Sequence, residues 1–124
     1  MNKQIMVKEA SPAAGPYSHA VEAEGLLFVS GQTGHTKDGT LRASIEEQTG
    51  TALENIGVIL RGCGYAYEDV VKTTVFIKDM KDFAAVNRVY ASYFGSTKPA
   101  RSCVAVADLP VGASIEIECI AYKR

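Results

Sequence analysis

The stretch from Pro99 to Tyr122 constrains the fold more than any other, because it alternates with period two on either side of a single break. Ser102, Val104 and Val106 share one face of a first strand, and Ile115, Ile117 and Cys119 share one face of a second. Between them lies the turn-forming run Asp108-Leu-Pro-Val-Gly-Ala113. If the two strands pair as a hairpin with those sets on the core side, Arg101, Cys103, Ala105, Glu116, Glu118, Ile120 and Tyr122 all point the other way. One face of the hairpin then carries a guanidinium and two carboxylates beside small residues.

The rest of the chain supplies elements to pack against these strands. A short strand is expected around Ile5 to Val7, followed by an irregular loop through Pro12 and Gly15-Pro16. Ala20 to Glu22 and Leu26 to Ser30 read as strands joined by a turn at Glu24-Gly25, the second apolar enough to be buried on both sides. Ser44-Ile-Glu-Glu47 has the form of a capping box, and Ile45, Ala52, Leu53, Ile56, Ile59, Leu60 and Cys63 follow at helical spacing up to Gly62 and Gly64. Val70 to Lys78 is β-branched and reads as a strand. A second helix fits the stripe Phe83, Val86, Tyr90, Tyr93 and Phe94, with Gly95 just past its end and Asn87 one position off the stripe. The order is that of an α+β domain, a mixed sheet of about six strands with two helices packed on one face. Its other face, carrying some of Val70, Thr74, Phe76, Cys103, Ala105, Ile120 and Tyr122, is too apolar for water, so a homo-oligomer is expected to bury it, with clefts at its subunit boundaries.

Length and charge narrow the function. At 124 residues the chain is expected to be one domain, spanning 1–124. A net charge of −1 provides no overall attraction to nucleic acid or to a membrane surface, and no apolar segment approaches the length of a bilayer span. Cys63, Cys103 and Cys119 form no metal-ligand spacing and cannot all pair within one chain, which fits reduced thiols in the cytoplasm. Taken singly, the polar residues have ordinary explanations. A strand arginine or glutamate is usually a solvated edge charge, Cys103 a small core residue, Tyr17 a packing aromatic, and Ser30-Gly31 a strand terminus.

Together they have a different meaning. Gly15-Pro-Tyr-Ser18, Ser30-Gly-Gln32, Val71 to Asp79, Phe83 to Asn87, Pro99-Ala-Arg-Ser-Cys-Val104 and Ile115-Glu-Ile-Glu118 occur in the order and spacing of the reactive intermediate (imine) deaminases, the RidA/YjgF family, which the chain resembles from about Val7 to Lys123. The resemblance implies a chorismate-mutase-like fold, a homotrimer with three small-molecule sites at subunit interfaces, and hydrolysis of 2-aminoacrylate and related enamines and imines to 2-keto acids and ammonia. It implies no cofactor of the chain's own, since pyridoxal phosphate belongs to the enzymes that release the substrate. Arg101 matches the carboxylate-binding position, where a planar fork suits a 2-imino acid, and Glu116 the catalytic glutamate that activates water or moves protons. Tyr17, Ser30, Gly31, Asn87 and Cys103 match substrate-lining positions. Cys103 has no histidine partner and is not expected to be a nucleophile.

The chain departs from the family pattern after Gln32. An aliphatic residue and a proline are common there, and Thr33-Gly-His35 stands in their place, a more polar and more flexible sequence that bears on substrate preference. His19 and His35 have no assigned role and are expected to be exposed. Two other activities are compatible with such a sequence, a trimeric sensor that binds 2-keto acids without turnover and a ribonuclease or translation inhibitor. The near-neutral charge and the isolated histidines speak against the second.

Overall fold

The computed structural model describes residues 2–124. Six strands form one sheet: β1 (Lys3–Ile5), β2 (Ala20–Ala23), β3 (Leu26–Thr33), β4 (Val70–Ile77), β5 (Ala100–Ala105) and β6 (Ile115–Tyr122), in the order β1-β2-β3-β6-β4-β5. Helix α1 (Ile45–Gly62) follows β3, and α2 (Phe83–Phe94) connects β4 to β5. Only β4 and β5 run parallel, while β6 is antiparallel to both of its neighbours. The expected α+β architecture, a six-stranded mixed sheet with two helices on one face, is the one observed.

The capping box at the start of α1 forms as its sequence predicts. Ser44 Oγ accepts from the Glu47 backbone N–H and the Glu47 carboxylate accepts from the Ser44 N–H, both at 3.1 Å. The apolar stripes of α1 and α2 meet the sheet in one cluster, with Leu53, Ile56, Ile59 and Leu60 of α1 and Val86 and Phe94 of α2 buried against Val75, Ile77, Ile115 and Ile117. Burial of each such side chain contributes roughly 1.5–3 kcal/mol. Both edges of β6 are paired, and its alternation places Ile115, Ile117, Cys119 and Ala121 in the core with Glu116 and Glu118 on the open face.

Strand β5 differs from expectation. It forms no hairpin with β6, because β4 lies between them and β5 pairs with β4 in parallel through the α2 crossover. Its faces are reversed as well. Arg101 is in register with Thr73 and Cys103 with Val75, both fully buried, so Arg101, Cys103 and Ala105 are on the helix side while Ser102 and Val104 face out. An edge strand is covered by only part of one helix, and here the space beneath α2 is filled by the Arg101 guanidinium stacked on Phe83 and Tyr90. Val70, expected on the open face, turns into the core at a register shift between Val70 and Lys72. Strand β3 is buried on one side only, since Phe28 is exposed opposite Ile120. The open face does lack a cover, and Phe28, Val104 and Tyr122 are all exposed on strands of this sheet.

Candidate active site

The chemistry-bearing residues form two groups. The first surrounds a cavity of about 680 Å³ lined by the loop from Ser11 to Tyr17, the end of β3, the segment from His35 to Gly39, Asn55, Pro110, Val111, Glu116 and Glu118. Tyr17, Ser30, Gly31 and Glu116 all belong to it. The loop is tied to β3 at its end, where Ser30 Oγ donates to the Ser18 carbonyl at 2.6 Å and the Ser30 N–H to the His19 carbonyl at 3.0 Å. Tyr17 is held in turn by its hydroxyl, which accepts from the Ala14 N–H at 3.1 Å. Ser30 and Gly31 occupy a register shift in the pairing of β3 with β6, and the Glu116 carboxylate lies directly over Gly31, in space that a Cβ would need.

Glu116 is half-buried and makes no ion pair among the described residues. Desolvation raises its pKa above the usual carboxylate value, and repulsion from Glu118 two residues along raises it further. A carboxyl placed in a cavity and biased toward holding a proton suits general base and acid work.

The second group lies at the far edge. Arg101 on β5 rests its guanidinium 4.8 Å from the ring centroid of Tyr90 and 5.5 Å from that of Phe83, and donates to Asn87 Oδ1 at 2.8 Å. Tyr90 is fixed by a 2.7 Å hydrogen bond with Thr73. The amide one position off the helical stripe thus orients the guanidinium, which has no carboxylate partner among the described residues. Cys103 is on the same side of β5, and burial raises its thiol pKa against the opposing pull of Arg101, which keeps it a protonated neighbour.

The sheet register separates the groups. Arg101 pairs with Thr73, Thr73 with Cys119, and Glu116 is three residues farther along β6. Two strand spacings and three residues of rise place the two backbones roughly 14 Å apart before the side chains leave on opposite faces. No small acid touches both within one chain.

The unassigned histidines both have structural partners. His19 is buried, contrary to expectation, with Nδ1 accepting from the Val7 N–H at 2.9 Å and Nε2 donating to the Ser11 carbonyl at 2.7 Å. His35 is half-buried at the cavity rim. The Thr33-Gly34-His35 segment is polar as expected but firmly held, since Asn55 of α1 donates to the Thr33 and His35 carbonyls at 3.1 and 2.9 Å. Gly34 permits this docking, because a Cβ there would collide with Gln48 of α1. Among the described residues, no helix is long and apolar enough to cross a membrane and no cluster could hold a metal ion. All three cysteines are free.

A family model described as endoribonuclease L-PSP matches residues 7–123. The chain belongs to the RidA/YjgF family. Among its relatives, the RidA/YjgF chain is 46% identical over 124 residues to the chloroplastic Reactive Intermediate Deaminase A of Arabidopsis thaliana, an alignment covering 98% of this chain and 66% of that protein. It is 42% identical over 128 residues to the 2-iminobutanoate/2-iminopropanoate deaminase of Escherichia coli K12, with both chains fully covered. The crystal structure of Escherichia coli TdcF with bound serine superposes with a TM-score of 0.94 at 39% identity, over 98% of this RidA/YjgF chain and 99% of the other.

Proposed function

We propose that the protein hydrolyses 2-imino acids, including those formed from 2-aminoacrylate by pyridoxal-phosphate enzymes, to 2-keto acids and ammonia. In this reading the working site is assembled between copies of the chain in a homotrimer, the Glu116 cavity of one copy receiving the Arg101 edge of the next. The observation that carries it is the separation itself. Two groups suited to the two ends of a small imino acid are each left without an ionic partner among the described residues, too far apart to cooperate within a chain, beside an open sheet face that exposes Phe28, Val104 and Tyr122. Membership of a family that includes proteins named as imine deaminases supports the reaction class.

Arg101 binds the substrate carboxylate with its planar fork, the stacked rings and Asn87 keeping it in one orientation. Glu116, as carboxylate, takes a proton from a water molecule while the water oxygen forms a bond to C2 and the C=N π electrons move to nitrogen. The protonated Glu116 then returns its proton to the nitrogen of the carbinolamine. The C2 hydroxyl then becomes the keto oxygen as its proton passes through Glu116 to the same nitrogen, and the C–N bond breaks with its electrons leaving on nitrogen as ammonia. Tyr17, Ser30 and Gly31 shape the pocket, and Cys103 forms part of the wall at the Arg101 end.

The test is to generate 2-aminoacrylate continuously with a serine dehydratase and follow 2-keto acid release with and without the protein. Acceleration that scales with protein concentration is expected. Release at the uncatalysed rate, accompanied by 2-keto acid binding in calorimetry, would replace the enzyme with a sensor.

A further inference from the structure

The segment that departs from the family pattern sends one side chain across the cavity rim. Its backbone is fixed from behind by Asn55, and from that fixed point the His35 ring spans to the turn before β6. His35 Nε2 donates to the Val111 carbonyl at 3.2 Å, and Nδ1 meets the Thr33 hydroxyl at 2.7 Å. The tautomer follows from the partners. A carbonyl only accepts, so Nε2 carries the hydrogen, and in the neutral ring Nδ1 is left to accept from Thr33.

The far end of this strut is an improbable conformation. Val111 has φ 52 and ψ 42, the left-handed region that a β-branched residue avoids, and it is 76% exposed, so burial does not hold it there. The His35 hydrogen bond and one turn bond, from the Ala113 N–H to the Pro110 carbonyl at 3.2 Å, oppose the strain. Pro110 and Val111 line the same cavity as Glu116, and Thr33 is the register partner of Glu116 on β3. A run of direct contacts therefore leads from the strand position opposite the carboxylate to an apolar stretch of cavity wall.

We propose that His35 is a positioning residue that sets substrate size: acting through Val111, it holds the Pro110–Gly112 turn as an end wall against which the side chain of a 2-imino acid packs, favouring short aliphatic chains over long branched ones. This rests on the imino-acid reading of the Glu116 cavity. With the strut removed, Val111 relaxes out of the left-handed region, the turn moves and the cavity lengthens.

The experiment measures kcat and KM for 2-iminopropanoate and 2-imino-4-methylpentanoate, made in place by an amino-acid oxidase, with the parent and the variants H35A, H35N and H35Q. The kcat/KM ratio of long to short substrate is expected to rise about tenfold in H35A, through KM, since a few methylenes in an apolar pocket discriminate on that scale. Glutamine places an amide N–H where Nε2 was and restores the parental ratio, whereas asparagine falls short of Val111 and does not. V111G relieves the φ strain and removes the wall without touching His35, so it raises the same ratio with no loss of melting temperature. A parental ratio in folded H35A overturns the proposal whatever V111G does, and a parental ratio in V111G overturns it as well. Should the parent accelerate neither imino acid, the deaminase reading fails by itself, and calorimetric affinities for the two corresponding 2-keto acids decide the wall: the same pattern across variants upholds it, and parental ratios throughout overturn it.

Discussion

The Arg101 edge and the Glu116 cavity prepare a charge for work in opposite ways. Arg101 is made ready by contact, with two aromatic rings beneath the guanidinium and an amide on one of its nitrogens. Glu116 is made ready by the lack of contact, lying over a glycine in a cavity where desolvation and a like charge destabilise its ionised form. The first arrangement fixes a direction and the second a proton affinity. Because the groups leave opposite faces of the sheet, neither neutralises the other within the chain. A hairpin of the kind the alternation alone suggests would have allowed the two to pair and spend their charges on each other.

The largest effect is expected at Glu116. Glu116→Gln keeps the shape and removes the proposed base, so turnover should fall about 10²- to 10⁴-fold while 2-keto acid affinity persists. The stability effect has the opposite sign. Folding raises the pKa of Glu116, so its contribution to stability is fully present below the unfolded-state pKa and is lost as pH rises through the folded value, where the ionised form has to be kept in the cavity. At neutral pH the neutral amide of Glu116→Gln avoids that cost, and the variant should melt at or above the parent temperature. An inactive variant that also melts lower would mean that the Glu116 carboxylate gains a charged partner in the assembly, Arg101 of the next copy by the proposed arrangement, and that desolvation does not dominate there.

Arg101→Ala should cost on the order of 2–5 kcal/mol in transition-state binding for an imino acid, and Arg101→Lys less, because the charge remains but the fork does not. A neutral imine should respond little to either change. A mixing experiment sharpens the comparison further. If Glu116 and Arg101 of a site come from different copies, co-expressed Arg101→Ala and Glu116→Gln chains should form some sites with both native residues, about one in four for random assembly, and activity should return. Mixed oligomers with no regained activity would show that the two regions do not serve one site.

The parts of this arrangement that could be read from sequence are those that repeat. The helical stripes, the Ser44 capping box and the alternation of β6 each present the same physical demand several times over, and each forms where its pattern places it. Period two reveals that a strand has two faces but names neither its neighbour nor the better covered side. At β5 the apolar Val104 and Val106 indicated the wrong face, since an edge beneath half a helix buries a stacked arginine as readily as a valine. His19 was missed because a lone histidine carries no sign of the two backbone groups waiting for it, the Val7 N–H and the Ser11 carbonyl. Asn87 showed in its own spacing only a place one position off the helical stripe, and its contact with Arg101 at 2.8 Å came from the fold. The candidate site residues could be proposed beforehand only through the family resemblance, as a set.

A smaller effect is expected at Gly31. A Cβ there would occupy the space of the Glu116 carboxylate, but that carboxylate is the far end of a flexible side chain, so the fold can yield where the chemistry cannot. Gly31→Ala should lower kcat about 10²-fold by displacing the base by an ångström or so, with little change in melting temperature. Equal losses of activity and stability would indicate that the backbone moved instead.

The smallest effect isolates electrostatics from position. If Glu116 acts as a base, kcat/KM falls as pH drops through its pKa, and desolvation and Glu118 both push that acid limb toward higher pH. Glu118→Gln removes only the second cause. The limb should therefore move toward lower pH, while kcat on the plateau stays close to that of the parent. A neighbouring copy that brings Arg101 to the cavity draws the pKa down and one that covers it draws the pKa up, but both contributions are common to the parent and the variant, so the difference between the profiles belongs to Glu118. That side chain is exposed, and its repulsion is open to screening, so the difference should shrink as salt shortens the Debye length from about 10 Å toward 3 Å. A limb that stays in place in Glu118→Gln at low salt would mean that Glu118 does not set the proton affinity read by the profile.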